Sequence, residues 1–133
     1  MESKLEASVN ELTSLQPFAV GNDLVCLADF KFSLTDVFKK KVYTPAEIAY
    51  CDSFTDSLQR YASTWAAKEA VYKAAKQINP SPLSFKNIEI TRNKTAGIPK
   101  VTLPAHLKNY KISLTISHDG DYAWALALIN TIA

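Results

Sequence analysis

The sequence has little of what zinc-binding, disulfide-stabilised and membrane-spanning proteins require. Its 133 residues contain two cysteines, Cys26 and Cys51, which are far apart in the chain, and no histidine stands at metal-ligand spacing from them. This argues against a zinc site and against a disulfide scaffold. No apolar run is long enough to cross a bilayer. The N-terminal segment is charged and lacks the apolar stretch of a secretory signal, so a cytoplasmic location is expected.

The chain also has little net charge. The formal value is +2, which is too weak to predict nucleic-acid binding by itself. The lysines are nevertheless clustered, at Lys31 and Lys39–Lys41 in one segment and at Lys68, Lys73 and Lys76 in another. Such clusters are often only solvated helix faces. The alternative is that they meet two anionic partners, one small and one macromolecular.

Length and composition predict one domain with a real core. Nearly half of the residues, 47%, are hydrophobic, and the length fits a single domain of ordinary size. Residues 1–17 are predicted to be an N-terminal extension, and residues 18–133 the domain. Because a domain this small leaves much of its surface uncovered, a deep site would need walls from a second subunit.

The first half of the chain predicts one strand and three helices. Residues 18–27 read as a strand interrupted at Gly21–Asp23, which is either a bulge or turn, or a carboxylate presented at a cleft. Ser33–Asp36 and Thr44–Glu47 carry start signals for two short helices. A longer helix is predicted over Phe54–Ile78, ended by an Asn-Pro pair.

The second half reads as antiparallel strands. Four are predicted, over residues 87–92, 99–103, 111–117 and 122–129. The first two form a hairpin, and the last two are joined by a tight turn at His118–Asp121. The fold class is therefore α+β, with an antiparallel sheet packed on the long helix in the order β-ααα-ββββ.

The long helix has two dissimilar faces. One carries small apolar residues at a period of 3.6, which predicts close packing on a sheet. The other mixes aromatic residues, including Trp65 and Tyr72, with lysines and Glu69. Glu69 and Lys73 have the spacing of an ordinary surface ion pair.

The alternative is a metal site that handles phosphates. Magnesium in such sites takes one or two protein carboxylates and keeps several waters, and Asp23 and Glu69 are candidates for that pair. The lysines near Glu69 would neutralise phosphate oxygens. Trp65 or Tyr72 would cover an adenine or an extended arm. This interpretation requires that Asp23 and Glu69 meet in space.

Five segments stand in a characteristic order along the chain. They are Gly21–Val25, Val42–Glu47, Trp65–Ala74, Gly97–Leu103 and Ile116–Asp119, the last followed by Tyr122–Ala125. Together they resemble the phosphopantetheinyl transferase superfamily, specifically its short holo-acyl-carrier-protein synthase type. The resemblance covers roughly residues 18–129, and its Lys-Glu helix motif and Ser-His-Asp motif are fairly specific as a pair.

The resemblance implies a fold, a reaction and a set of site residues. The residues matching Asp23 and Glu69 hold magnesium, the one matching Lys73 contacts coenzyme A phosphates, and the one matching His118 lies against the nucleotide phosphates. These four are expected to be catalytic. Further residues are expected to line the coenzyme A site, namely Lys68, Trp65, Ser117 and Pro99.

The implied reaction is attack by a serine hydroxyl of an apo carrier protein on the β-phosphate of coenzyme A. The products are holo carrier protein and adenosine 3′,5′-bisphosphate, and magnesium would stabilise charge on the leaving group. The base is open between a metal-bound water, which we favour, Glu69 and the His118–Asp119 segment. Family members of this length are homotrimers with active sites between protomers. The carrier is expected to be acidic and to dock at Lys31 and Lys39–Lys41.

The sequence departs from the family pattern in four places. Cys26 stands where an acidic residue is frequent, and Asp29 where an arginine commonly contacts the carrier. Thr64 replaces an arginine that often precedes the aromatic residue of the helix motif, and Gln77–Pro80 replaces a glycine-rich helix end. These departures keep open a non-catalytic module that binds coenzyme A or a carrier protein. A weaker alternative is a small basic domain that binds nucleic acid through the aromatic and lysine face of the helix.

Overall fold

The computed structural model describes residues 17–92 and 97–130. Its elements, in chain order, are β1 (Phe18–Cys26), α1 (Leu27–Ser33), α2 (Asp36–Val42), α3 (Pro45–Asp52), α4 (Ser57–Ile78), β2 (Glu89–Arg92), β3 (Pro99–Thr102), β4 (Lys111–Asp119) and β5 (Tyr122–Asn130). The predicted α+β class is confirmed, with one additional short helix, α1, between β1 and the helices expected from the sequence. Nearly all of the predicted N-terminal extension lies outside the described residues.

The strands form two antiparallel sheets. One has three strands in the order β1-β5-β4, and the other is the β2–β3 hairpin. In the larger sheet Asp23 pairs with Ala125, which also pairs with Ile116 on the far strand. The predicted hairpin is confirmed by its pairing of Glu89 with Thr102, while the middle of its turn lies outside the described residues.

Helix α4 packs closely on the larger sheet because both surfaces are built from small side chains. Its sheet-facing side includes fully buried Ala66, Ala70 and Ala74, and β5 contributes fully buried Ala123 and Ala127. The prediction of close helix–sheet packing is therefore confirmed. Among the described residues, no helix is long and apolar enough to cross a membrane.

Gly21 is the closest point of this packing. A Cβ atom there would overlap the carbonyl oxygen of Ala70 and lie 2.8 Å from the amide nitrogen of Ala74. Only glycine therefore lets β1 approach α4 at this distance. Strand β1 runs without a break through this point, so the alternative of a bulge or turn at Gly21–Asp23 is wrong.

Capping residues explain where the helices start. Thr44 and Glu47 form the predicted capping box of α3. Helix α2 is capped by Thr35, whose side chain accepts a hydrogen bond from the Phe38 amide, rather than by Ser33. Helix α4 starts after Asp56, which caps it, and therefore later than the Phe54 start predicted from the sequence.

The turn between β4 and β5 is shorter than predicted. Strand β4 continues through His118 and Asp119, and Asp119 pairs with Tyr122. The turn consists of Gly120 and Asp121, and Gly120 has a φ of 55°. A two-residue hairpin turn that needs positive φ favours glycine, which explains why the strand can extend to Asp119.

Candidate active site

Asp23 and Glu69 meet where β1 crosses α4. Asp23 lies on the helix-facing side of β1, two residues after Gly21, and its side chain is 12% exposed. Glu69 precedes Ala70, the residue whose carbonyl oxygen lies against Gly21. The Asp23 and Glu69 side chains line the same cleft, and burial together with the Asp23 carboxylate raises the pKa of Glu69, so the two carboxylates lie close together. The condition that the sequence interpretation required is thus met in the structure.

This carboxylate pair needs a cation or a proton. Burial and the neighbouring Asp23 carboxylate raise the pKa of Glu69 to about 7, although Lys73 opposes the shift. The Lys73 ammonium lies 2.9 Å from Asp23 Oδ1 and donates a second hydrogen bond, of 3.0 Å, to the Asn22 carbonyl oxygen. Like charges held this close stay ionised together only when positive charge is added.

The donor set fits a magnesium ion. Such an ion takes one or two carboxylates, keeps several waters, and takes its remaining oxygens from substrate phosphates. The described residues hold no group of three or more aspartate, glutamate, histidine or cysteine side chains placed for a metal. An ion at Asp23 and Glu69 would therefore be open to water and substrate, as a phosphate-handling site requires.

A cleft of about 360 Å³ opens beside the pair. Besides Asp23 and Glu69, its lining includes Cys26, Asp29 and Trp65. The Trp65 ring is held in place by Phe38 and Phe85, with ring centroids 5.2 and 4.8 Å away. Trp65 is thus a rigid wall of the cleft. Cys26 and Asp29, two positions at which the sequence departs from the family pattern, stand in the same wall.

Lys68 is not available to a ligand, which corrects its assignment to the coenzyme A site. It is fully buried, and its ammonium forms an ion pair of 2.8 Å with Glu47 Oε1. It also donates to the carbonyl oxygens of Phe85 and Ile88, at 2.9 and 2.6 Å. Burial lowers the pKa of Lys68 and the Glu47 carboxylate partly offsets this. The two neighbours on α4 therefore differ in role, because Glu69 reaches the cleft whereas Lys68 ties α4 to α3 and to the segment before β2.

Ser117, His118 and Pro99 lie away from the carboxylate pair within one chain. Ser117 pairs with Trp124, which pairs with Leu24, and all three are exposed on the sheet face opposite α4. His118 lines a separate cavity together with Arg60 and Arg92. Pro99 begins β3, in the smaller sheet. Since strands are about 4.8 Å apart, β4 stands roughly 10 Å from β1.

The two arginines in the His118 cavity were missed by the sequence interpretation. Arg60 lies near the start of α4 and Arg92 ends β2, so no local spacing connects them. Each stacks on an aromatic ring, Arg60 on Phe54 at 4.0 Å and Arg92 on Tyr50 at 4.8 Å, measured from Cζ to the ring centroid. The sequence does show that Arg60 stands one helical turn before Thr64, the position where the family often has an arginine. Such a spacing is too common to predict a site by itself.

Comparison with known proteins identifies the family of the chain. The family model of the 4′-phosphopantetheinyl transferase superfamily matches residues 19–127. The holo-[acyl-carrier-protein] synthase of Aquifex aeolicus is 37% identical over 117 residues, which span 83% of this chain and 96% of that protein.

Solved structures are similar along nearly the same length. The ACPS–CoA complex of Chronobacterium ammoniagenes has a TM-score of 0.72 at 29% identity, covering 86% of this chain and 98% of that one. Holo-[acyl-carrier-protein] synthase of Helicobacter pylori in complex with coenzyme A has a TM-score of 0.69 at 28% identity, covering 84% and 99%. The chain belongs to the 4′-phosphopantetheinyl transferase superfamily and has its α+β fold.

Proposed function

We propose that this chain is a magnesium-dependent holo-[acyl-carrier-protein] synthase. It transfers the 4′-phosphopantetheine group of coenzyme A to a serine hydroxyl of an apo acyl carrier protein. The observation that carries the proposal is the Asp23–Glu69 pair beside the Lys73 ammonium, in a cleft open to solvent. The names of the relatives and the coenzyme A complexes among the similar structures support the same substrates. We expect the activity in the cytoplasm.

The residues of the cleft have separable tasks in this reaction. The serine oxygen forms a bond to the β-phosphorus and its proton passes to a general base, for which Glu69 and the His118–Asp119 segment are the candidates within the protein. The bond from that phosphorus to the bridging oxygen breaks, and adenosine 3′,5′-bisphosphate leaves with the electron pair. Asp23 and Glu69 would hold magnesium, which supplies charge stabilisation to the diphosphate. Lys73, with a side chain 51% exposed, can turn from Asp23 to a phosphate oxygen as a point charge. Trp65 limits where the substrate can lie, so positioning contributes to the rate.

We propose further that the enzyme is a homotrimer with active sites between protomers. The sheet face opposite α4 carries large apolar side chains that are each 38% to 61% exposed, namely Val20, Leu24, Trp124, Leu126 and Leu128. A contiguous apolar patch of this kind marks a protein interface. Ser117 lies in the cross-strand row of Leu24 and Trp124. Association through this face would therefore bring Ser117 towards a neighbouring protomer, as the separation of Ser117 and His118 from Asp23 requires.

The acidic carrier protein docks, in this proposal, on α1 and α2. Lys31, Lys40 and Lys41 are exposed there, and they flank Phe32 and Val37, which are 82% and 76% exposed. Basic residues around exposed apolar side chains suit an acidic partner with an apolar patch. Because α1 follows β1 directly, a carrier bound there lies next to the cleft that holds Asp23.

Intact-protein mass spectrometry tests the transfer directly. Apo acyl carrier protein incubated with this chain, coenzyme A and magnesium should gain the mass of one phosphopantetheine. Asp23→Asn should abolish the gain, whereas Asp56→Asn should not, because asparagine caps a helix as well as aspartate does. A carrier mass that stays unchanged across several apo carriers would contradict the proposal.

A second candidate is a non-catalytic module that binds coenzyme A or a carrier protein. It is favoured by one observation, that Cys26 and Asp29 line the cleft at the positions where the family pattern is lost. Calorimetry separates the candidates. Binding of coenzyme A without any gain in carrier mass would select the module.

A further inference from the structure

The carboxylate of Asp29 lines the cleft beside Asp23 and Glu69, and the proposed mechanism does not use it. Among the described residues that line this cleft there is no lysine, arginine or histidine. Asp23 has the Lys73 ammonium 2.9 Å away, whereas no cation in the described part of the chain lies within ion-pair distance of Asp29. Asp29 therefore leaves the wall of the cleft with an unbalanced negative charge.

Helix α1 presents Asp29 to the cleft rather than to the opposite side of the helix. The lining residues in and before this helix recur at the spacing i, i+3, i+4 and i+7, which places them on one helix face, namely Cys26, Asp29, Phe30 and Ser33. Phe30 is buried and packs edge-on against Phe38, which fixes the rotation of α1. Asp29 itself is exposed. It thus stands on the open wall of the cleft, on the same helix as part of the proposed carrier-docking surface.

Neither magnesium nor coenzyme A would use the charge of Asp29. Within the described residues, Asp29 does not complete a group of three metal-binding side chains with Asp23 and Glu69. The diphosphate of coenzyme A is anionic, so an unpaired carboxylate repels it. The pantetheine arm carries no charge. The carrier protein remains, because its serine must enter the cleft from the side of α1, where we propose that the carrier docks.

We propose that Asp29 determines specificity for the carrier protein, and that it selects a carrier with a basic residue beside the reactive serine. The inference rests on the proposed transferase function and on docking at α1 and α2. A basic residue at that place would neutralise the Asp29 carboxylate when the serine enters the cleft. An acidic residue there would bring a like charge against it, which disfavours that carrier.

The two signs of charge on this side of the molecule have separate tasks. Lys31, Lys40 and Lys41 are exposed on α1 and α2, where they attract the acidic surface of the carrier. Asp29 lies in the cleft wall and meets only the residues that surround the reactive serine. Charges of opposite sign at two places in one interface fix the register of the partner. The carrier is therefore acidic over its docking surface and basic next to its serine.

The test uses one apo acyl carrier protein in two pairs of variants. The residue immediately before the reactive serine is Lys or Asp in the first pair, and the residue immediately after it in the second. Both members of a pair compete in one mass-shift assay, which gives the ratio of their kcat/KM values whatever fraction of the enzyme is folded. The wild-type protein should favour the Lys carrier of at least one pair roughly 10-fold, the effect of one close charge pair. Asp29→Lys should reverse this preference and leave the KM for coenzyme A unchanged.

Asp36→Lys is the matched control. It makes the same change of charge at an exposed position that begins α2 and does not line the cleft. It should alter transfer to both members of a pair alike and keep the wild-type ratio.

Three outcomes would overturn the inference. They are a wild-type protein without preference in either pair, a ratio that Asp36→Lys shifts as far as Asp29→Lys does, and a KM for coenzyme A that Asp29→Lys changes equally with every carrier. If the wild-type protein transfers to none of the four carriers, the proposed function fails. Calorimetry with the same carriers then decides about Asp29, and equal affinities of the Lys and Asp forms would overturn its role.

Discussion

Lys68 and Lys73 lie on the same helix, but removing their charges is predicted to have different effects. Loss of the Lys68 charge should lower stability, and loss of the Lys73 charge should lower transfer activity. Lys68 is completely buried and paired with Glu47, whereas the Lys73 side chain is 51% exposed. Replacing Lys68 by Met keeps the length of the side chain but leaves the Glu47 carboxylate buried without its cation. Breaking a buried ion pair in this way costs about 3–5 kcal/mol. For a chain of this size that corresponds to a fall in Tm of roughly 10–20 °C.

The Lys73 variant gives the contrasting result. Lys73→Met removes a largely exposed ion pair, which is worth about 1 kcal/mol or less, so stability should change little. Transfer activity should nevertheless fall roughly 10- to 100-fold, because the proposed charged hydrogen bond from Lys73 to a substrate phosphate would be lost. Lys68→Met should keep the wild-type KM for coenzyme A under conditions where it is folded.

The assay is urea unfolding followed by circular dichroism at one fixed protein concentration, together with the mass-shift assay at a temperature well below both midpoints. A Glu47→Leu/Lys68→Met double variant tests the pairing itself. It should be less destabilised than the two single changes added together, by about 1–3 kcal/mol. A Lys68→Met protein that keeps full stability and loses coenzyme A affinity would refute the assignment of Lys68 as a structural residue.

Three further predictions concern the contact of β1 with α4, the carboxylate pair and the exposed apolar sheet face. Gly21→Ala should destabilise the fold by about 1–3 kcal/mol, since its Cβ overlaps the α4 backbone, and it should lower transfer by displacing Glu69. In metal-free protein, Asp23→Asn should lower the pKa of Glu69 from about 7 towards its usual range, although burial still holds it above that range; carboxyl-carbon NMR titration measures the shift. Leu126→Glu, in the exposed apolar sheet face, should convert the proposed trimer to monomers in light scattering.

Each of these changes has a control or a contradicting outcome. Gly120→Ala meets no atom within 4 Å and should cost only the strain of a positive φ, about 1–2 kcal/mol, without a selective loss of transfer. An unchanged Glu69 titration in Asp23→Asn would mean that burial alone raises the pKa. A wild-type protein that is monomeric at micromolar concentration would remove the basis for the trimer.

The sequence predicted those elements whose residues repeat at a regular period. The small side chains of α4 and the alternation along β4 and β5 predict how these elements pack, and the structure confirms the packing. The meeting of Asp23 and Glu69 depends on something less visible, the missing Cβ of Gly21. A glycine within a strand suggested a bulge, because periodicity along one strand carries no information about the helix that lies against it.

Three features escaped prediction because their causes lie far apart in the chain. Lys68 was placed on the solvent face with Glu69, yet Glu47 and two carbonyl oxygens draw it into the core. The Arg60–Arg92 cavity is assembled from α4 and β2. Helix α1 has only seven residues and no side-chain cap, so it presents neither a periodic pattern nor a start signal.

The charges around Asp23 suit a cleft in which a metal ion and a substrate phosphate replace the groups that balance the carboxylates in the free protein. With no metal bound, the charge on Asp23 is balanced by Lys73, and that on Glu69 by a proton over much of the neutral range, since its pKa is about 7. A divalent cation would displace the proton from Glu69, because metal ligands must be deprotonated. Its positive charge would also replace that of the Lys73 ammonium beside Asp23. Lys73 is then free to turn towards a phosphate from the exposed side of the cleft. In the proposed mechanism Lys73 therefore pairs with Asp23 when substrate is absent and turns to a substrate phosphate when it is present, which its exposed side chain allows and the buried Lys68 side chain does not.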